Sequence, residues 1–308
     1  MGNGSLTPAK RCIIRLPCRT RVRFAARRAL RWVRRHAEGL FGRGTRPDAA
    51  RVTCLAAALF WPFHYERFVH DWERFLEGWG AKAFHAKEFY PGAGPFWWKR
   101  QDGTVEVERR ERHRHDSKRI PDMIAPHVRQ LFVVSFREDE YEAVAPLAWR
   151  RRYGGVHRVA AQMMAQSVGF WARRVRHEGE ISYICESGDG VDRQVHNGLR
   201  AVYRQPRARQ HARMASSPVE VKKGDARGLE VADFVAWHWN KYVAETVFAT
   251  SARRPVRKDI ERLLELLHLK GEQIDIRFFT RDRLQAFLID HGCTVSGIRT
   301  QRPFDEGL

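Results

Sequence analysis

Ile181-Ser182-Tyr183-Ile184-Cys185-Glu186-Ser187-Gly188-Asp189-Gly190, continuing through Val191 to Tyr203, decides how this chain is read. A short apolar run ends in a carboxylate, a glycine turn follows, and apolar residues then recur at helical spacing. The pattern is a strand feeding a helix. A strand that delivers an acid at its C-terminal end, beside a glycine turn, is how α/β folds build sites. The competing reading is a surface turn whose acids cap the helix beginning near Val191.

Working outward, Val52 to Phe60 is an apolar run of strand length, stopped by Pro62. Phe68, Trp72, Phe75, Leu76 and Trp79 follow at spacings that predict an amphipathic helix ending at Gly78 and Gly80. Phe84 to Phe89 reads as a short strand or loop before the Pro91–Pro95 turn. Residues 99–119 carry dense charge of both signs and read as a solvated tip or helix face. Leu131 to Phe136 is a buried strand, His157 to His177 a long helix, and Met214 to Val221 a strand. Leu229 to Val247 is a helix; Ile260 to Leu269, Ile274 to Phe279 and a last segment capped by Thr280 read helix, strand, helix. Alternating strands and helices predict an α/β architecture in which helices cover a mixed sheet. The expected divisions are a basic segment at 1–50, a main domain at 51–250 and a mostly helical C-terminal extension at 251–308.

Composition narrows the function. The chain has 308 residues and a formal net charge of +20. Residues 1–50 hold one Lys and 12 Arg against Glu38 and Asp48, and so carry more than half of that excess. Three readings compete for residues 1–47: a basic nucleic-acid-binding arm, a transit peptide, and translation in a wrong frame. A charge this positive favours polyanionic partners, nucleic acid first. The longest apolar run, Cys54 to Trp61, is far below the roughly 20 residues that cross a bilayer, so no membrane partner is expected. Five widely spaced cysteines without a C-x-x-C pair argue against a disulfide scaffold or structural zinc. They fit a reducing compartment, and no secretory signal is visible, so a cytoplasmic location is expected. Walker, dinucleotide-glycine and serine-elbow motifs are absent.

Candidate chemistry lies in carboxylates. Asp233 sits in an otherwise apolar helix, where a carboxylate is costly to bury unless a cation or hydrogen bonds satisfy it. Glu230, one turn earlier, shares its face. These two with Glu186 would suit Mg²⁺ or Mn²⁺, which take oxygen ligands; the plainer reading places both on the helix's wet face. Lys222 and Lys223 precede that helix and could steady a phosphate, or simply occupy a solvated loop. His85 and Glu88 bracket a short element and could supply a ligand or a proton carrier. His113-x-His115-Asp116 has the look of a metal cluster but lies in the densely charged stretch. Arg200, Arg204, Arg207, Arg209 and Arg213 crowd a segment free of acids and could neutralise phosphates. Most of the ten Trp residues, Trp72 and Trp171 among them, fall at apolar helical positions and read as core rather than as base-stacking platforms.

Leu229-Glu230-Val231-Ala232-Asp233-Phe234-Val235-Ala236-Trp237 resembles the "AD" helix of the domain of unknown function 3800 family. The segments Phe84–Phe89, Tyr183–Asp189 and Val219–Lys223 are similar to its histidine segment, central acidic strand and lysine-bearing strand. The resemblance runs from about Val52 to Glu245. It implies a ribonuclease H-like fold and divalent-metal-dependent hydrolysis of phosphodiesters in nucleic acid. It implies Glu186 and Asp233 as metal ligands, with Glu230 and Glu88 as further oxygen donors, and Lys222 or Lys223 and His85 on the substrate side. Two departures stand out. Glu230 replaces the family's usual Gln, and no Asp-Glu-Ser-Gly-like first strand precedes Val52. A catalytically inactive protein that binds nucleic acid or another partner is therefore the alternative reading, and a purely structural role is a third.

Overall fold

The computed structural model describes residues 52–100, 102–188, 190–222, 224–243, 258–269 and 274–290, all within one compact unit of the chain. The basic segment at 1–50, Asp189 and Lys223 lie outside the described residues.

The larger of two sheets is built on β2 (Val128–Arg137), whose residues are buried almost without interruption. Such a run belongs to a central strand covered on both faces. β1 (Val52–Phe60) pairs with it antiparallel and β5 (Ile274–Phe279) pairs parallel, in the order β1-β2-β5. Register is held by apolar pairs; Phe136 lies opposite Phe279, with their rings stacked 4.8 Å apart.

Helices cover both faces of this sheet. Pro62 ends β1 and opens α1 (Pro62–Trp79), where its fixed φ and missing N–H cost nothing. Phe68, Trp72, Leu76 and Trp79 bury one stripe of α1, and the helix closes on Gly80 in the left-handed region (φ 64°). α2 (Ala86–Phe89), a short 3₁₀ turn at Gly94–Phe96 and α3 (Val107–Ile124) complete an aromatic cluster with α1. After β2 come α4 (Glu138–Val144), α5 (Leu147–Tyr153) and the long α6 (Val156–Arg174). Leu55, Ala57 and Leu59 of β1 pack with Phe132, Val134 and Phe136 against α6. The alternate residue Phe60 meets Phe68 of α1 on the opposite face, because successive strand residues point to opposite sides.

The second sheet is small. β3 (Ile184–Glu186) and β4 (Val219–Val221) pair parallel. Between them lie α7 (Gly190–Arg204) and α8 (Pro206–His211). α7 packs on α6 at Gly198, where an added Cβ would stand 2.5 Å from the Arg158 carbonyl oxygen. α9 (Arg227–Tyr242) lies against β1 and reaches β3. α10 (Lys258–Leu269) packs on α3, and α11 (Arg281–Asp290) on α4.

The chain is thus a helix-rich mixed α/β protein with helices flanking a small mixed sheet. Several local expectations change. Phe84–Phe89 is helical from Ala86, not a strand: the carbonyl of His85 accepts from the N–H groups of both Glu88 and Phe89. The charged stretch before residue 119 is not wholly solvated. His113 and Asp116 turn inward, His113 stacking on Phe89 and bonding its carbonyl oxygen at 2.7 Å, and Asp116 accepting from the Trp79 indole at 2.9 Å. The C-terminal segment contributes β5 to the main sheet as well as covering helices. The strand expected at Met214–Val221 is reduced to β4 and a single bridge between Met214 and Ile181. No described helix is long and apolar enough to cross a membrane.

Candidate active site at the ends of β3 and β4

Glu186 is the last residue of β3, and its register partner is Val221 at the end of β4. The Ser187 N–H donates to the Val221 carbonyl at 2.7 Å, so the two strands end together and the chain leaves β4 directly into Lys222. The loop closes through the Asp225 N–H, which donates to the Lys222 carbonyl, and turns at Gly224 (φ 92°), a conformation that favours glycine. Arg227 then opens α9 and fastens it to the neighbouring chain by donating to the Lys82 carbonyl at 2.8 Å.

Residues 82–86 run along the first turns of α9, and two carboxylates hold them there. Glu230 accepts from the Trp72 indole at 2.6 Å, from the Phe84 N–H at 3.0 Å and from Arg227 at 2.9 Å, and it has no exposure to solvent. Asp233 accepts from the Ala86 N–H at 3.0 Å and remains half-buried. That bond caps the first turn of α2, whose preceding residue is His85. Glu186 and Lys222 therefore leave the same end of the β3–β4 sheet, and Asp233, on the helix that touches β3, holds the residue after His85.

The other expected site residues are placed differently. Glu230 lies on the same helix as Asp233, yet both of its oxygens are engaged inside the fold and an indole stands over it. As a metal ligand it would have to give up those bonds, so it is a positioning residue for the Phe84 segment. Glu88 is half-buried, with its carboxylate against Gly94 of the 3₁₀ turn. His113 is drawn to the Phe89 carbonyl, while His115 and Asp116 stay in contact with each other at 3.2 Å. Lys222 is exposed, with its side chain free to reach a substrate.

The arginines of the 200–213 segment occupy the far end of the same unit. α7 starts beside Glu186 and runs for 15 residues, about 20 Å at the helical rise, to Arg204. Arg207 and Arg209 follow on α8. Arg213 (φ 54°) stands before the Met214–Ile181 bridge, at the entry to β3 rather than its exit, and donates to the Glu178 carbonyl. Arg209 lies over the Tyr203 ring.

Among the described residues, no three His, Cys, Asp or Glu side chains gather as a metal cluster. Glu186 and Asp233 are two oxygen donors, a set that suits Mg²⁺, which keeps several waters and is commonly held by one or two carboxylates together with substrate phosphates. It does not suit a closed all-protein cage. The nearby thiol is inert: burial pushes Cys185 up to about 12, and does the same to Cys54, so neither forms a thiolate at neutral pH. Comparison with protein-family models, with curated proteins and with solved structures finds no match to this chain.

Proposed function

We propose that the chain is a divalent-metal-dependent phosphodiester hydrolase acting on nucleic acid, with the ribonuclease H-like character that its resemblance to the domain of unknown function 3800 family implies. The observation that carries the reading is the common ending of β3 and β4, from which Glu186 and Lys222 emerge, with Asp233 on the helix that touches β3. Glu186 and Asp233 would hold Mg²⁺ or Mn²⁺, and a bound ion there would offset charge on a phosphodiester and favour ionisation of attacking water. Lys222, exposed at the end of β4, would offer a cation to a phosphate oxygen. His85, next in the chain to the residue that Asp233 holds, would serve as a proton carrier for water or the leaving oxygen. The free thiols of Cys54 and Cys185 fit a reducing, cytoplasmic setting.

Asp233→Asn is the informative variant, because the Asn carbonyl keeps the Ala86 N–H bond while the charge goes. With Glu186→Gln it is expected to reduce Mn²⁺-dependent cleavage at least about a hundredfold without moving the melting temperature by more than a few degrees. Cleavage retained in both variants would remove these carboxylates from the site. A second reading, a protein that binds nucleic acid without cutting it, is favoured by the engagement of Glu230 within the fold. Salt-sensitive binding with no turnover in Mg²⁺, Mn²⁺, Co²⁺ or Zn²⁺ is the result that selects it.

A further inference from the structure

Arg193, Asn197, Arg200 and Arg204 are all exposed and recur at spacings of four, three and four along α7. They form one stripe. Arg193 lies in the first turn, beside the strand end that carries Glu186; Arg204 ends the helix, and Arg207 continues the line on α8. From Arg193 to His211 the chain contains no acid. Among the described residues no carboxylate pairs with Arg193, Arg200, Arg204 or Arg207.

Exposed arginines elsewhere are of two kinds: Arg67, Arg151 and Arg152 likewise have no carboxylate partner among the described residues, while others are paired. Arg74 pairs with Asp71 on α1, and Arg114 with Glu111 on α3, each at i, i+3. On α7 the stripe is left like-charged, which costs helix stability by a few tenths of a kcal/mol per neighbouring pair. Arg193 stands at the positive end of the helix dipole, where a cation is disfavoured. A merely solvated face needs neither feature.

We infer that α7 is a track for the backbone of a double-stranded nucleic acid, running away from the Glu186 end toward α8. The inference rests on the proposed function for its direction and adds the substrate class. Arg193 to Arg204 spans eleven residues, roughly 16 Å at the helical rise. One strand of a duplex advances ~3.4 Å along the axis per phosphate, so the stripe spans about five base pairs of axis, and the winding of the strand brings a few of those phosphates within reach of a straight helix. A single strand is disfavoured because the stripe carries no aromatic side chain on which bases could stack. A membrane surface is disfavoured because the apolar face of α7, with Leu199 and Val202, is already buried in the protein core and cannot enter a bilayer.

The test is binding of fluorescent duplexes, DNA and RNA in separate arms, to the full chain in EDTA, so that cutting plays no part. Replacing Arg193, Arg200, Arg204 and Arg207 together by Gln is expected to lower affinity at least about tenfold and to reduce the log–log salt slope by roughly three to four. A control removing the same charge elsewhere, at Arg67, Lys118, Arg151 and Arg152, is expected to leave that slope within about one of the parent. Affinity should rise with duplex length up to about five base pairs on one side of the site and then level off in the parent but not in the track variant. Equal losses in track and control variants would overturn the inference. So would tighter binding of single strands, or retention on phosphatidylserine vesicles without duplex binding. If the track variant fails to bind while the parent binds duplex but cuts nothing in any metal, the track stands and the catalytic reading fails. If Asp233→Asn abolishes cutting while the track variant binds like the parent, the reverse holds.

Discussion

The two sheets of this molecule are secured in different ways. β2 is buried along nearly its whole length, flanked by β1 and β5 and covered by helices on both faces. β3 and β4 are three residues each, and Ile184 and Val219 are about half exposed. The large sheet holds the fold through apolar burial. The small sheet contributes little burial and ends where Glu186 and Lys222 stand. A scaffold of this kind separates the residues whose replacement unfolds the chain from those of the candidate site, which can change without loss of the core.

That contrast can be broken most forcefully in β2. Phe136→Ala removes a fully buried ring stacked on Phe279 and is expected to cost about 3–5 kcal/mol in urea unfolding. Ile184→Ala should cost less than about 1 kcal/mol, since little of its surface is withdrawn from water. Equal costs would refute the division.

The next effect lies on α9. Glu230→Gln keeps one acceptor but loses the charge facing Arg227 and leaves a buried polar group imperfectly paired, for an expected loss of roughly 2–3 kcal/mol. Asp233→Asn, three residues on and half-buried, should cost under about 1 kcal/mol. Thermal melts of both variants decide whether the two carboxylates divide between folding and chemistry.

Gly198→Ala tests how the small sheet's helix is attached. The new methyl would press on the Arg158 carbonyl and on Ala161, and a loss of about 1–2 kcal/mol is expected from forced separation of α6 and α7. A neutral result would show that the helices can slide.

The smallest effect is a pH dependence. Burial, the largest cause, lowers the pKa of His113 below its ordinary 6.5, although the bond to the Phe89 carbonyl and the charge of Asp116 oppose the shift. The unfolded chain therefore takes up a proton as pH falls through about 6.5 while the folded chain resists it, so stability declines from there toward the lower folded value. His177 and His211 are shifted in the same direction, first by burial and then by Arg213 and Arg173 respectively. Unfolding free energy measured between about pH 7.5 and about pH 5 should decline less steeply in His113→Phe.

Much of this was legible from residue order. β1, β2, β5, α6, α7 and α9 follow runs long enough for their period to be unambiguous. Four residues are too few to show a helical period, so α2 reads as a short strand or loop in the sequence. The inward side of α3 is hidden because composition averages over a helix while burial selects one face: His113, Asp116 and Ile120 fall on it among seven exposed Asp, Glu, Lys and Arg side chains. The arginine segment was visible as a cluster, but Arg193 lay outside it until the helix gave the stripe a direction.

Residue order by itself determined the alternation of strands and helices, the acid at the end of a strand and the excess of positive charge, because each depends only on neighbours along the chain. Spacing put Glu230 and Asp233 on one face of one helix and could go no further. Tertiary structure alone separated them, since which carboxylate an indole and a peptide N–H would engage depends on α1 and residues 82–86 arriving from elsewhere in the chain. It also placed Glu186 and the α8 arginines at opposite ends of α7, a distance that only packed helices and strands define.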